Sequence, residues 1–548
     1  MTSLYTRFKS VAEQHKDKKA VCFKRERIWC NFSYSQLLEQ VDKFANGLIA
    51  LGLKTGDRVA IMSENCPEWL ITDLAVNKIC AISVPIHATS KNDYVEYVIE
   101  DADCSVIVIS ISVYEKYTKL FNDIKKIKII VVGGTNISSS NNFYLIRDVL
   151  ELGMNFSYDD KLSHELASIL YTSGTTGVSK GVMLSNGNFL SNIESASKEY
   201  EVDSRDIFLS FLPLSHALER TLGSLIPVLH GCTIFYSQGI KFLKEDLKVA
   251  KPTVLIGVPK IFERFYEGVR DDIDRSQGFK KKLFRWALKN KTNIFADIFV
   301  FGKIRKLFGG NIRFCVSGGA SLNPQILKFF LNSKILISEG YGLTETSPII
   351  SANRLDAIIP GSVGKVIPGV QVKIANNKEI LVKGPNVMLG YWRKDSENKE
   401  IFDKDGWLHT GDLGHLDKEG LLTIIGRIKD IIVTTNGKNI APEKLENLLN
   451  LSPYILQSLI VGHKRSNIAA LLVINQASFK KGDGQDINSI IKNEIDKINE
   501  NLDKFEWIMN YKVINDLFKE ESGELTPTLK LRRFVIEDKY KKIINSLF

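Results

Sequence analysis

The stretch Ala167-Ser-Ile-Leu-Tyr171-Thr-Ser-Gly-Thr-Thr-Gly177-Val-Ser-Lys180-Gly181 decides how this chain is read. Its opening residues are largely apolar, as in a strand entering a core, and the residues after Tyr171 are rich in Gly and Thr. The order reads as strand, loop, helix. Gly174, Gly177 and Gly181 let the backbone turn its N–H groups toward one point, the hydroxyls of Thr172, Ser173, Thr175 and Thr176 add donors, and Lys180 adds a cation. Together these suit a polyphosphate. It is not a Walker loop, because Ser179 stands where that motif needs a Gly before the Lys. A loop of this composition is also compatible with a plain solvated turn, so the surrounding chain has to decide.

That chain has 548 residues, 44% of them apolar and 25% charged. At about 150 residues per domain its length predicts three or four folding units, and its composition excludes a disordered or collagenous protein. Seven cysteines (Cys22, Cys30, Cys66, Cys80, Cys104, Cys232 and Cys315) form no CxxC pair and no zinc-spaced cluster, which fits a reduced, cytosolic setting. Residues 1–10 lack the apolar stretch of a signal peptide, and no run approaches the roughly 18 apolar residues of a spanning helix. Membrane contact is therefore expected to be peripheral.

Outward from the loop, residues 35–51 have the spacing of an amphipathic helix, and 58–62 and 105–110 read as strands. The alternation returns at 253–257 and 312–317, each strand running into a Gly- or Pro-marked loop. This rhythm predicts an α/β class with parallel sheets and sites at strand ends. From about Gly361 short strands (370–374, 379–383, 421–425) predict a β-rich subdomain. The turn-prone Asn436-Gly437, a helix from near Pro442 and a strand at 458–461 then predict a small α+β domain. A boundary at about Lys429 divides the chain into residues 1–428 and 429–548. Residues 138–142 read as a polar surface loop, and no internal repeat is present.

Residues 171–181 resemble the phosphate-binding signature of the AMP-forming, adenylate-making enzymes, a family of acyl-CoA synthetases, luciferases and peptide-synthetase adenylation domains. Further segments match in the same order. Ser317-Gly318-Gly319-Ala320, followed by Glu339-Gly340-Tyr341-Gly342-Leu-Thr344-Glu345, resembles the adenine and phosphate segment. Trp407-Leu-His-Thr-Gly-Asp412 resembles the ribose segment, and Gly426-Arg427-Ile-Lys429-Asp430 the hinge. Leu525-Thr-Pro-Thr-Leu-Lys530 resembles the segment bearing the catalytic lysine. One such motif is weak, whereas five in order between Tyr171 and Lys530 are not an accident.

The resemblance implies roles. A carboxylate attacks the α-phosphorus of ATP while pyrophosphate leaves, so negative charge meets negative charge and must be neutralised. Residues 172–177 and Lys180 would hold the β- and γ-phosphates, Thr344 the α-phosphate, and Glu345 would ligate Mg2+. Tyr341 would stack on adenine, with Gly318, Gly319 and Ala320 opposite; Asp412 would take the ribose hydroxyls, with Arg427 assisting. The C-terminal domain would present Lys530 for adenylation, turn about Lys429, and bring the Gly437 region to line the channel for the CoA thiol. Taken singly, Tyr341 reads as a core aromatic, Asp412 as a turn residue, and Glu345 and Lys530 as surface charges. Only the joint pattern overturns those readings.

Leu212-Pro-Leu-Ser-His216-Ala-Leu-Glu219-Arg220 and Val258-Pro-Lys-Ile-Phe-Glu263-Arg264 resemble the long-chain fatty acyl-CoA synthetase branch. The resemblance gives His216 a positioning or gating role where acyl carbonyl and thiol channel meet. Residues 279–308 hold nine Lys/Arg and one acid, Asp297, which is +8 of the chain's +10, interleaved with seven aromatics. That mixture suits peripheral contact with an anionic membrane at its inner face, and equally a solvated hairpin with its aromatics packed inward. No nucleic-acid module accompanies it.

Two positions depart from the family pattern. Ser179 replaces the usual Pro, which would leave the phosphate loop freer, and Leu529 replaces the Gly common before the lysine. Neither removes a charged or coordinating group. The expected activity is ATP-dependent conversion of a long-chain fatty acid to acyl-AMP and then acyl-CoA. A fatty acyl-AMP ligase or acyl-carrier-protein synthetase has the same adenylation residues, and an inactive acyl- or nucleotide-binding scaffold would need their loss.

Overall fold

The computed structural model describes residues 3–123, 127–134, 142–152, 165–172, 179–275, 278–289, 294–479, 486–526 and 529–548. Most of the expected loop at 138–142 lies outside them. The chain divides into two compact units, residues 1–372 with 382–408, and residues 373–381 with 409–548. No helix among the described residues is long and apolar enough to cross a membrane.

The first unit is built on two large sheets. One has eight strands in the order Gly390–Tyr391, Lys180–Ser185, Leu166–Thr172, Ile82–Pro85, Arg58–Met62, Cys104–Ser110, Lys128–Val132 and Phe143–Leu145. From Leu166–Thr172 to Phe143–Leu145 every pairing is parallel. The strands at its middle are mostly apolar on both sides, with Ser83 and Ser168 among the exceptions, because a parallel sheet is covered by helices on both faces. Val59, Ala60, Ile61 and Met62 are all fully buried. The second sheet has nine strands, with Ile337–Gly342, Phe314–Ser317, Val254–Gly257, Ile207–Ser210 and Thr233–Tyr236 as its parallel middle. The α/β expectation and its parallel sheets are met.

One local expectation is corrected. The segment after the Gly/Thr-rich loop is a strand, Lys180–Ser185, antiparallel to Leu166–Thr172, and the helix begins only at Asn186–Tyr200. Val182 and Leu184 alternate inward and are fully buried, the period of a strand rather than of a helix. Ser185 then caps the helix by accepting the Asn188 N–H at 3.1 Å.

The second unit is α+β. Its strands Ile455–Val461, Ile468–Ile474 and Ile508–Ile514 form one sheet. Alternate residues of the middle strand serve opposite cores: Ile468, Ala470 and Leu472 on one side, Ala469, Leu471 and Val473 on the other. A strand buried on both faces needs apolar residues at every position, which explains its unbroken apolar sequence. Glu379–Lys383, Leu408–Leu416 and Leu422–Arg427 belong to a four-stranded sheet earlier in the chain.

Candidate active site

Ser173, Gly174, Thr175, Thr176 and Gly177 lie outside the described residues, but both ends of their loop are placed. Thr172 and Lys180 face each other across the antiparallel pair. The Ser179 hydroxyl donates to the Thr172 carbonyl, and the Tyr97 hydroxyl donates to the Ser179 carbonyl at 2.8 Å. The neck of the loop is thus pinned by the serine that replaces the usual proline. Lys180 Nζ lies 5.0 Å from the Tyr391 ring centroid, within cation–π range. The Tyr391 hydroxyl donates to Glu345 Oε1 at 2.9 Å. One ring therefore joins the cation at the end of the Gly/Thr-rich loop to the carboxylate expected to bind metal. Sequence reasoning missed Tyr391; its only signal is the aromatic pair Tyr391-Trp392, and in the structure Tyr391 ends a two-residue strand, Gly390–Tyr391.

Ser317 ends a buried strand, and Gly318 to Ala320 follow at its C-terminal end, where parallel sheets place their ligands. At Gly318 a Cβ would meet the Leu218 side chain at 3.1 Å. Glu339 is 3% exposed, and its Oε1 accepts the Leu322 N–H at 2.8 Å, so its carboxyl shapes this loop from behind. Burial pushes its pKa up to about 7, against the pull of that N–H. Gly340, Tyr341 and Gly342 close the next strand. At Gly342 a Cβ would lie 1.7 Å from the Pro348 carbonyl oxygen, so only glycine passes. Thr344 and Glu345 follow in a short turn, Thr344–Thr346.

The Leu218 N–H donates to His216 Nδ1 at 3.4 Å, which orients the ring. His216 precedes a π-helix, Glu219–Leu225, a conformation concentrated at functional sites. Arg220, 1% exposed, donates to both Asp73 oxygens at 2.6 and 2.9 Å and to Ser83 and Ser168 at 2.8 and 2.7 Å. Ser168 lies on the strand that runs into the phosphate loop. The guanidinium therefore ties the His216 segment to that strand.

Glu219, also 1% exposed, has no hydrogen-bond partner at normal length for either oxygen among the described residues, and the Ser210 hydroxyl and Phe211 amide reach it only weakly. Burial raises its pKa from 4.5 to about 8, with Ser210 and the Phe211 amide drawing it down only in part. The folded chain therefore holds a proton between about pH 4.5 and 8 that the unfolded chain releases. Stability is expected to fall as pH rises through that window. Glu219→Gln should flatten the dependence, as read from urea midpoints at pH 5, 6.5 and 8, with about the wild-type midpoint near pH 5 and a higher one at pH 8. An unchanged pH profile would place Glu219 in a less buried setting. Gly223 makes room for it, since a Cβ there would lie 2.4 Å from the carboxylate and force that side chain to shift.

Within the second unit, Asp412 and Arg427 face each other across antiparallel strands. Asp412 Oδ1 accepts the Arg427 Nε–H at 2.8 Å, with the acid nearly buried and the arginine half-exposed. Glu379, which sequence reasoning missed, accepts the Gly411 N–H at 3.0 Å and contacts His409 Nδ1 at 3.0 Å. It clamps the ribose-type segment from the neighbouring strand. Lys530 is tied to Thr526: its N–H donates to Thr526 Oγ1 at 3.0 Å, and its carbonyl accepts the Thr526 N–H at 2.8 Å. Leu529 takes φ +62°, the left-handed region that the family's usual glycine adopts without strain. The Lys530 side chain is exposed overall, yet protein crowding around the amine lowers its pKa. Arg427 lowers it further, while Glu443, Asp412 and Asp430 oppose the shift. Lys429 is exposed just past Arg427. Gly437, at φ +70°, turns beside a groove of about 400 Å³ lined by Asn436, Lys438, Lys504, Phe505 and Trp507 among others.

Residues 8–392 match the family model described as AMP-binding enzyme, and residues 429–548 match that of the AMP-binding enzyme C-terminal domain. The chain belongs to the AMP-binding enzyme family. This AMP-binding enzyme is 32% identical to the long-chain-fatty-acid–CoA ligase FadD15 of Mycobacterium tuberculosis over 95% of its length and 93% of the relative's. It is 29% identical to the human long-chain-fatty-acid–CoA ligase ACSBG2, over 96% and 90%. Among solved structures it is similar to ATP-bound MatB from Rhodopseudomonas palustris, with TM-score 0.79, 25% identity and coverage of 99% and 100%. The adenylation domain of a carboxylate reductase from Mycobacterium chelonae shares its fold, with TM-score 0.84, 20% identity and coverage of 100% and 91%. The enzyme is thus an adenylate-forming ligase that uses ATP.

No cluster of three or more His, Cys, Asp or Glu stands ready as a metal cage among the described residues. Glu345, steadied by Tyr391, nonetheless fits Mg2+, which commonly takes one or two carboxylates and completes its shell with waters and substrate phosphates.

Proposed function

We propose that this enzyme activates a long-chain fatty acid as acyl-AMP, with release of pyrophosphate, and transfers the acyl group to CoA. The observation that carries this reading is near-full-length similarity to ligases named for long-chain acyl-CoA formation. In the adenylation step the fatty carboxylate attacks the α-phosphorus of ATP, and the P–O bond to the leaving pyrophosphate breaks. Lys180 and the loop it closes hold the β- and γ-phosphates, and Thr344 contacts the α-phosphate. When bound, Mg2+ at Glu345 supplies positive charge at the phosphates. Tyr341 and Gly318 to Ala320 sandwich the adenine, while Asp412, oriented by Arg427, receives the ribose hydroxyls. Lys530 neutralises the charge that develops on the attacked phosphate.

For the second step, residues 429–548 form the mobile domain and Lys429 its pivot. The Gly437 turn lines the thiol's approach, and His216 positions the acyl carbonyl. The thiol attacks the acyl carbon and AMP leaves as its anion. Incubating the enzyme with ATP, Mg2+ and palmitate, with either free CoA or a phosphopantetheine carrier protein, tests the acceptor. Palmitoyl-CoA formation at a higher kcat/KM than acetyl- or benzoyl-CoA formation is expected. Acyl transfer to the carrier alone would replace CoA as the acceptor.

A further inference from the structure

The strand that follows the Gly/Thr-rich loop and the turn that carries Glu345 are linked by a short stretch of backbone, residues 388–392. The Met388 N–H donates to the Glu345 carbonyl at 2.9 Å, the Leu389 N–H to the Met183 carbonyl at 2.9 Å, and the Trp392 N–H to the Gly181 carbonyl at 2.8 Å. Tyr391 stands opposite Val182 in this pairing and is buried. Asn398, on the helix Asp395–Ile401, clamps its backbone twice. The Asn398 Oδ1 accepts the Tyr391 N–H at 2.6 Å, and the Asn398 Nδ2 donates to the Tyr391 carbonyl at 2.9 Å. Gly390 permits that approach at φ +133°, since a Cβ there would lie 2.9 Å from Asn398 Oδ1. A buried ring on so constrained a backbone has little freedom to move.

What this ring meets is two opposite charges. Lys180 Nζ lies over its face at 5.0 Å, and Glu345 Oε1 accepts its hydroxyl proton at 2.9 Å. An ammonium and a carboxylate with a neighbour in common attract each other. A direct pair would occupy both the cation that serves phosphate and the carboxylate that serves a divalent ion. The ring instead gives each charge its own partner, the negative π-face for the ammonium and the hydroxyl for the carboxylate. Both charged side chains stay partly exposed.

We propose that Tyr391 is a positioning residue for the metal–nucleotide complex: its hydroxyl orients Glu345 for Mg2+, and its face keeps Lys180 for the polyphosphate and away from Glu345. The proposal rests on the reading that Lys180 holds the β- and γ-phosphates and Glu345 the metal, and adds the side chain that keeps the two charges apart. Tyr391 acts through these neighbours and need not touch ATP. Its two contacts separate by substitution. Phenylalanine keeps the face and drops the hydroxyl, whereas leucine drops both.

Equilibrium dialysis of the full-length protein against radiolabelled ATP, without fatty acid, tests the proposal in Mg2+ and in EDTA. Tyr391→Phe should weaken binding in Mg2+ at least ~10-fold, the loss typical when the hydrogen bond behind a metal-ligating carboxylate is removed. Its binding in EDTA should match the wild type, which also reports that the variant is folded. Tyr391→Leu should in addition weaken binding in EDTA ~2–5-fold, as Lys180 loses the ring. Glu345→Gln should abolish the difference between Mg2+ and EDTA. Equal weakening of Tyr391→Phe in Mg2+ and in EDTA, as a merely structural defect would give, would overturn the proposal. A Mg2+ effect lost in Glu345→Gln yet intact in Tyr391→Phe would overturn it alone. A Mg2+ effect intact in Glu345→Gln would overturn it together with the reading it rests on.

Discussion

Replacing Lys530 by alanine should lower adenylate formation by at least ~10²-fold, the usual consequence of removing one donor from a charged transition state. Attack of a carboxylate on a triphosphate brings anion to anion, and in the proposed mechanism the amine supplies the countercharge only while that bond is forming. Thioester formation from preformed acyl-AMP involves no such encounter and should be far less affected. Pyrophosphate release from ATP and fatty acid measures the first step, and acyl-CoA formed from supplied acyl-AMP measures the second. Equal losses in both would remove Lys530 from its assigned role. The lowered pKa adds a signature: the cation is lost below the ordinary lysine range, so adenylation should decline at a lower alkaline pH than an unshifted lysine would give.

Arg220→Ala should cost about 3–5 kcal/mol of stability, because it leaves the Asp73 carboxylate buried without a partner. Both groups are almost wholly inaccessible, so solvent screening does not soften the loss. The uncompensated charge, rather than the net worth of the pair, sets this magnitude. The double variant Arg220→Met with Asp73→Leu should therefore recover much of the loss, since an apolar pair of similar volume often matches a buried ion pair. Urea unfolding of the three proteins gives the comparison. A loss of about 1 kcal/mol or less for Arg220→Ala would show the pair to be solvated. Any folded single variant should also show a raised KM for ATP, because Arg220 steadies the strand that feeds the phosphate loop through Ser168.

Local pattern carries much of this fold. Arg58–Met62 and Glu379–Lys383 form strands with the bounds their apolar runs indicate, and the helix expected over 35–51 spans Tyr34–Ala50. The strand after the Gly/Thr-rich loop reads as a helix in sequence because a Gly-rich loop that follows a strand and suits phosphate commonly opens a helix, and only pairing with residues 166–172 decides otherwise. Long-range polar links leave no trace in the sequence. Arg220 and Asp73 are 147 positions apart, and Tyr391 reaches Glu345 across 46. The basic segment announces its charge but not which aromatics face outward, since a π-turn breaks the helical period there.

Exchange of radiolabelled pyrophosphate into ATP, dependent on added fatty acid, tests most directly the claim that this enzyme activates a fatty carboxylate. Exchange should appear with palmitate and Mg2+, vanish without the acid, and drop at least ~10²-fold in Lys530→Ala. Exchange at the same rate with and without fatty acid, or none with any acid tried, would contradict the account.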